Sequence, residues 1–173
     1  QVDVKTGKTT QLFDCEKILP LMRKLAVQRK GGKNTYGGTE LDWIHINSFD
    51  FLDDGTLPKG QYYLYMFNNY YGRAASIPKF DWSMYPNVGN FKKGTSYYSK
   101  FLIDEKARTY KLAQQFTLPY SAIVSSVQHL GGNIPFSSGM SKTFGEYDKD
   151  GKLIKSFEYE ADKYSYRVMK YDF

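Results

Sequence analysis

Tight turns recur along this chain between short runs of strand-forming residues, and that recurrence limits it to an all-β architecture. "QVDV-KTGK-TTQLF" reads as strand, turn, strand. "FGEYD-KDGK-LIKSFEYE" repeats the design, with Gly151 supplying the positive φ that such hairpins need. Overlaying Gly7 on Gly151 also superposes Lys5 on Lys149, Lys8 on Lys152 and Phe13 on Phe157. A third turn falls at Asp54-Gly55, and "YSKFLIDEKARTYKLAQQF" gives a fourth hairpin turned by "DEKA" without glycine. Repeated hairpins of this kind build a sandwich, a barrel or a propeller, and spacing alone does not choose among them.

Aromatic content supports the strand reading. Tyr and Phe dominate the 17% of aromatic residues, and their broad rings pack on a pleated, half-buried surface. At 173 residues the chain has room for one well-cored domain. One segment departs from the pattern: "CEKILPLMRKLAVQRK" sets Ile18, Leu21, Met22, Leu25 and Ala26 at helical spacing, which predicts a short helix from about Pro20 to Gln28. The polar, aromatic stretch 68–96 predicts a long ordered loop. No run approaches the ~20 apolar residues of a membrane-spanning helix. "QVDVKTGKTT" carries no signal segment, and a lone Cys15 leaves no disulfide framework and no cysteine-based zinc site.

The net charge is +6, but the basic residues are scattered among acids and form no stripe, so a nucleic-acid partner is not expected. Small anions suit such a surface equally well. Candidate chemistry gathers at "LDWIHINSFDFLDDG". On a strand His45 and Asn47 share a face, an imidazole beside an amide able to hold an oxygen of the same ligand. Strand geometry leaves both chemistry and packing open for that pair. Arg73, after "FNNYYG", offers a guanidinium for a sulfate, phosphate or carboxylate, with a surface ion pair as the alternative. His129 reads as a strand-end residue before a Gly-Gly turn, and Ser125 and Ser126 sit in no nucleophile turn. The two histidines have no neighbours at metal-ligand spacing, so no metal is expected.

Taken together, "LDWIHINSFDF", "YMFNNYYGR", "YSKFLIDEKARTYKLAQQF", "YSAIVSSVQHLGGN" and the closing "FGEYDKDGKLIKSFEYEADKYSYRVMKYDF" resemble the bacterial arylsulfate sulfotransferases, in the family's order and over most of the chain. The resemblance implies a six-bladed β-propeller with its site at the central channel. It implies transfer of a sulfuryl group from a phenolic sulfate ester to a phenol through a sulfohistidine, with ping-pong kinetics and no cofactor. His45 and Asn47 match the family's sulfuryl-holding pair rather than its nucleophile. Ser125 falls where the family has a hydroxyl contribution, beside Val124, which cannot donate. Partners would be a small aryl sulfate donor and a phenol acceptor, with neither nucleic acid nor membrane and with homodimerisation allowed. The location would be periplasmic or extracellular.

Two departures qualify that expectation. The family's anion-binding arginine and its nucleophilic "Gln-His" histidine, expected between the His-Ile-Asn strand and the "FNN" region, have no counterpart here. Only about twenty residues separate Asn47 from "FNNYYGR". The expected architecture is therefore a partial propeller over residues 1–173, either a naturally shortened relative or part of a longer chain with a segment absent between about 49 and 59. The chain alone should be catalytically incompetent, and a non-catalytic β-propeller binding module is the alternative.

Overall fold

The computed structural model describes residues 2–10, 49–52, 55–69 and 94–171. Every element among them is a strand or a turn. The expected helix at Pro20–Gln28 lies outside the described residues, as do Cys15 and most of the 68–96 stretch. The chain divides into two units, and of the first only the turn at residues 2–10 is described. There Val2 bridges Thr9, Gly7 takes φ +68, and Asp3 Oδ1 accepts from the backbone N–H groups of Lys5 and Thr6.

Among the described residues, the second unit holds eight strands in two four-stranded antiparallel meanders. The first sheet runs β1 (Phe49–Leu52), β2 (Gln61–Asn68), β3 (Ser96–Asp104) and β4 (Thr109–Leu118) in sequence order. The second runs β5 (Ser125–Val127), β6 (Ile134–Ser138), β7 (Thr143–Tyr147) and β8 (Leu153–Glu158). Apart from β2 and β3, which pair across residues 69–95, sequence-order pairing follows from short connections that return each strand beside its predecessor. β2, "QYYLYMFN", shows why such a strand belongs to a stacked sheet. It is apolar at both phases of its alternation, with Tyr65 and Phe67 directed inward and Leu64 and Met66 on the opposite face.

Turn chemistry sets the register. Gly131 and Gly132, at φ +58 and +85, form the two-residue turn between β5 and β6, where Leu130 and Asn133 exchange both backbone bonds at 3.0 Å. Between β7 and β8, Gly151 takes φ +82 and Asp148 Oδ1 accepts from the N–H groups of Asp150 and Lys152. The expected "DEKA" turn is shifted by one residue. β3 runs through Asp104, and the turn is Glu105–Arg108, with Arg108 in the left-handed region at φ 54. Asp104 makes this workable: Oδ1 accepts from Ala107 N–H and Oδ2 from Gln61 Nε2, each at 2.8 Å. Those bonds hold its carboxyl below the usual range, Ala107 most strongly.

The core lies between the inner faces of the two sheets. Tyr65, Phe67, Tyr98 and Leu118 from the first meet Val127, Ile134 and Phe136 from the second, with Phe116 and Tyr147 packed against them. Tyr98 stacks on Phe116 with centroids 4.8 Å apart, and Phe116 in turn meets Tyr147 at 5.0 Å. The linker Pro119–Val124 joins the sheets and is pinned by serine hydroxyls from both. Ser138 Oγ donates to Pro119 O at 2.8 Å, Ser141 Oγ to Tyr120 O at 2.6 Å, and Ser96 Oγ to Ser121 O at 3.2 Å.

The C-terminal segment lies along the outer face of the second sheet. Gln128 grips its backbone twice: Nε2 donates to Lys170 O and Oε1 accepts from Lys170 N–H. Beside this clamp Glu146 is buried and accepts from Lys170 Nζ at 2.7 Å and Asn133 Nδ2 at 3.0 Å. Lys170 chiefly, then Asn133, keep its carboxyl ionised below the usual range.

Candidate functional site

Of the four residues that sequence reasoning singles out, Ser125 falls among the described residues, and His45, Asn47 and Arg73 lie outside them. Ser125 opens β5 and is 2% exposed. Its Oγ accepts from Asn69 Nδ2 at 2.7 Å, and the same amide donates to Ser121 O at 2.5 Å. Asn69 directly follows β2 in the "FNN" stretch, so the end of the first sheet orients the first residue of the second. The neighbouring Val124 holds φ +52, a conformation a β-branched residue rarely adopts, and its carbonyl accepts from Gly139 N–H at 2.9 Å. Backbone strain of this kind persists where surrounding structure over-determines it, and it concentrates at functional positions. Ser125 thus has its oxygen engaged by an amide while its own proton meets no acceptor among the described residues. Chemically it is a hydrogen-bond donor held in place.

A second cluster lies past the other end of β5 and was not legible from sequence. His129, read as a strand-end residue, is half-buried against the inner face of the first sheet. Its Nε2 lies 2.5 Å from Tyr98 Oη, and its ring centroid lies 4.3 Å from that of Tyr65. Tyr65 Oη donates to Asp50 Oδ2 at 3.0 Å. Lys100 stands opposite Tyr65 across the β2–β3 pair, with Nζ 4.0 Å from the ring of Tyr63. Burial, with the nearby Lys100 charge, pushes the imidazole down to about 4 against a weaker opposing pull from Asp50. Desolvation likewise raises both phenols, and the Asp50 carboxylate adds to the rise at Tyr65. At neutral pH the cluster holds a neutral imidazole between two protonated tyrosines. The only signal available beforehand was alternation, which puts Tyr65 on the same face as Phe67.

Among the described residues no cluster of metal-ligating side chains occurs. No helix of the described structure is long and apolar enough to cross a membrane. Comparison with known proteins gives one positive finding. The family model described as Arylsulfotransferase (ASST) matches in two pieces, residues 1–57 and 51–171. Neither a curated protein nor a solved structure matches the chain.

Proposed function

Because the chain belongs to the arylsulfotransferase family, we propose that it is a partial or shortened arylsulfate sulfotransferase. The activity of its class would move a sulfuryl group from a phenolic sulfate ester to a phenol through a sulfohistidine. The observation that carries this reading is the family match itself, which spans both halves of the chain and divides within residues 51–57. That division falls on β1 and the start of the β1–β2 connection. It lies within the stretch of about 49 to 59 where family sequence is proposed to be missing. On this reading the two sheets are two blades of a propeller, and the nucleophilic histidine belongs to the absent stretch.

The resemblance gives His45 and Asn47 the role of holding sulfuryl oxygens, and Arg73 offers a further anion contact. Ser125 contributes the O–H that Asn69 orients. Its proton, which meets no acceptor among the described residues, supports the role, since charge on the sulfuryl oxygens must be met by fixed donors as the S–O bond breaks. The donor and acceptor are small phenolic molecules, no cofactor takes part, and the family's setting outside the cytoplasm is the proposed location.

The test is transfer from p-nitrophenyl sulfate to phenol. The 173-residue chain is expected to show no turnover. A longer parent protein carrying the nucleophile is expected to be active, with His45→Ala lowering turnover on the order of 10²–10³-fold and sulfohistidine trapped on another residue. Turnover by this chain alone, lost in His45→Ala, would overturn the assignment. A non-catalytic binding module is the second reading, favoured because neither His45 nor His129 sits at the family's nucleophile position. An intact natural mass near 20.0 kDa, with p-nitrophenyl sulfate bound and not turned over, would select it.

A further inference from the structure

Tyr98 is fully buried, and among the described residues its hydroxyl has a single hydrogen-bond partner, His129 Nε2. A buried O–H needs an acceptor, and the imidazole nitrogen is the one within reach. Tyr98 therefore donates, Nε2 accepts, and the neutral ring carries its proton on Nδ1. The geometry assigns a tautomer.

Protonation reverses this arrangement. An imidazolium has N–H donors at both nitrogens, so Nε2 would present a proton to an oxygen that already bears one. Tyr98 Oη could turn to accept, but its own proton would then have no acceptor inside the core. The bond joins β3 of the first sheet to the segment leaving β5 of the second. We propose that the Tyr98–His129 hydrogen bond is a proton-operated latch between the two sheets, closed while the imidazole is neutral and released when it is protonated. The latch does not depend on the sulfotransferase reading.

The charged and titratable groups facing His129 come from every strand packed against it. β1 contributes Asp50, which favours the imidazolium; β3 contributes Lys100, which opposes it; Tyr65, Tyr98 and Tyr147 remain protonated at any pH of interest. Asp50 is bound by Tyr65 Oη, and solvent reaches it, so its pull is the weaker. Because the folded value lies below the unfolded one, the unfolded chain takes up the proton first on acidification. The contribution is whole above about pH 6.5 and declines until the folded value, about 4, is passed.

The test uses the chain as it stands. NMR titration of the His129 ring should give a midpoint at least one unit below that of a free histidine, with Nδ1–H identified as the neutral tautomer from the ring nitrogen shifts. Thermal unfolding should lose several degrees of midpoint between pH 7 and pH 4.5. His129→Gln keeps a non-titrating acceptor for Tyr98 and should flatten that loss. Tyr98→Phe removes the buried O–H and should raise the His129 midpoint toward its free value. If instead His129 titrates at its ordinary value, or Nε2 carries the proton, or both variants lose stability on acidification in parallel with the wild type, the latch is refuted.

Discussion

Two hydroxyls in the second sheet have no partner among the described residues. Ser126 and Ser137 stand opposite one another across the β5–β6 pair, both buried, and neither Oγ meets a hydrogen-bond partner. Each has given up water without recompense, a penalty of about 1–3 kcal/mol when nothing replaces it. Ser126→Ala and Ser137→Ala should therefore be neutral or stabilising, by up to about 1 kcal/mol each, as read from urea midpoints at unchanged slope. Ser125→Ala provides the contrast. It removes one of the acceptors of the Asn69 amide, which keeps Ser121 O, and should destabilise by about 1 kcal/mol. The adjacent serines 125 and 126 thus give opposite results, because strand alternation sends them to different faces.

At the scale of elements, the β7–β8 hairpin is the most exacting. Gly151 combines positive φ with close packing: a Cβ there would lie 2.7 Å from Phe116 Cδ1. Gly151→Ala should cost at least about 1–3 kcal/mol through strained backbone, with the clash on Phe116 added to it, visible as a lower thermal midpoint. This turn was readable from sequence because only glycine adopts such a φ cheaply. The β3–β4 turn was misplaced by one residue because Arg108 takes the left-handed position, and no rule of composition assigns that to an arginine. The Asp-carboxylate wrap recurs in the turns at Asp3 and Asp148, yet the loops differ in length, Asp3 N–H reaching Lys8 O and Asp148 N–H reaching Lys152 O. Superposing the glycines therefore captured the motif and missed the extra residue. The His129 cluster was not legible at all. Its partners come from β1, β2 and β3, and non-local pairing of that kind leaves no trace in local spacing.

For the molecule as a whole, the C-terminal segment is a polar strap more than an apolar one. Tyr164, Tyr166 and Tyr171 are exposed, while the hold is made by Gln128, Glu146 and Lys170. Lys170→Met should destabilise by about 1 kcal/mol at pH 7, since its ammonium is partly exposed and the pair partly screened. The sign with pH is fixed by Glu146. Its carboxyl is held below the ordinary value of 4.5, so the stabilisation is complete above that pH and lost as pH falls through the lower, folded value. Wild type and Lys170→Met should accordingly converge in strongly acidic buffer, by urea titration at each pH. A gap that persisted there would mean the strap is held by packing alone.

The connectivity of the sheets also has a bearing on assembly. Each meander is contiguous in the chain, and the second, from Ser125 to Glu158, is built from short hairpins alone. Contacts between sequence neighbours form fast because little chain must be ordered to make them. The first sheet has no such ease: between Asn68 and Ser96 the chain must bring β2 and β3 together around its longest connection. The later-synthesised sheet is therefore expected to fold ahead of the earlier one and to serve as the template onto which Tyr65, Phe67 and Tyr98 condense. A nascent chain halted before Ser125 would leave those three rings in water, so burial of the aromatic core should wait for the second sheet.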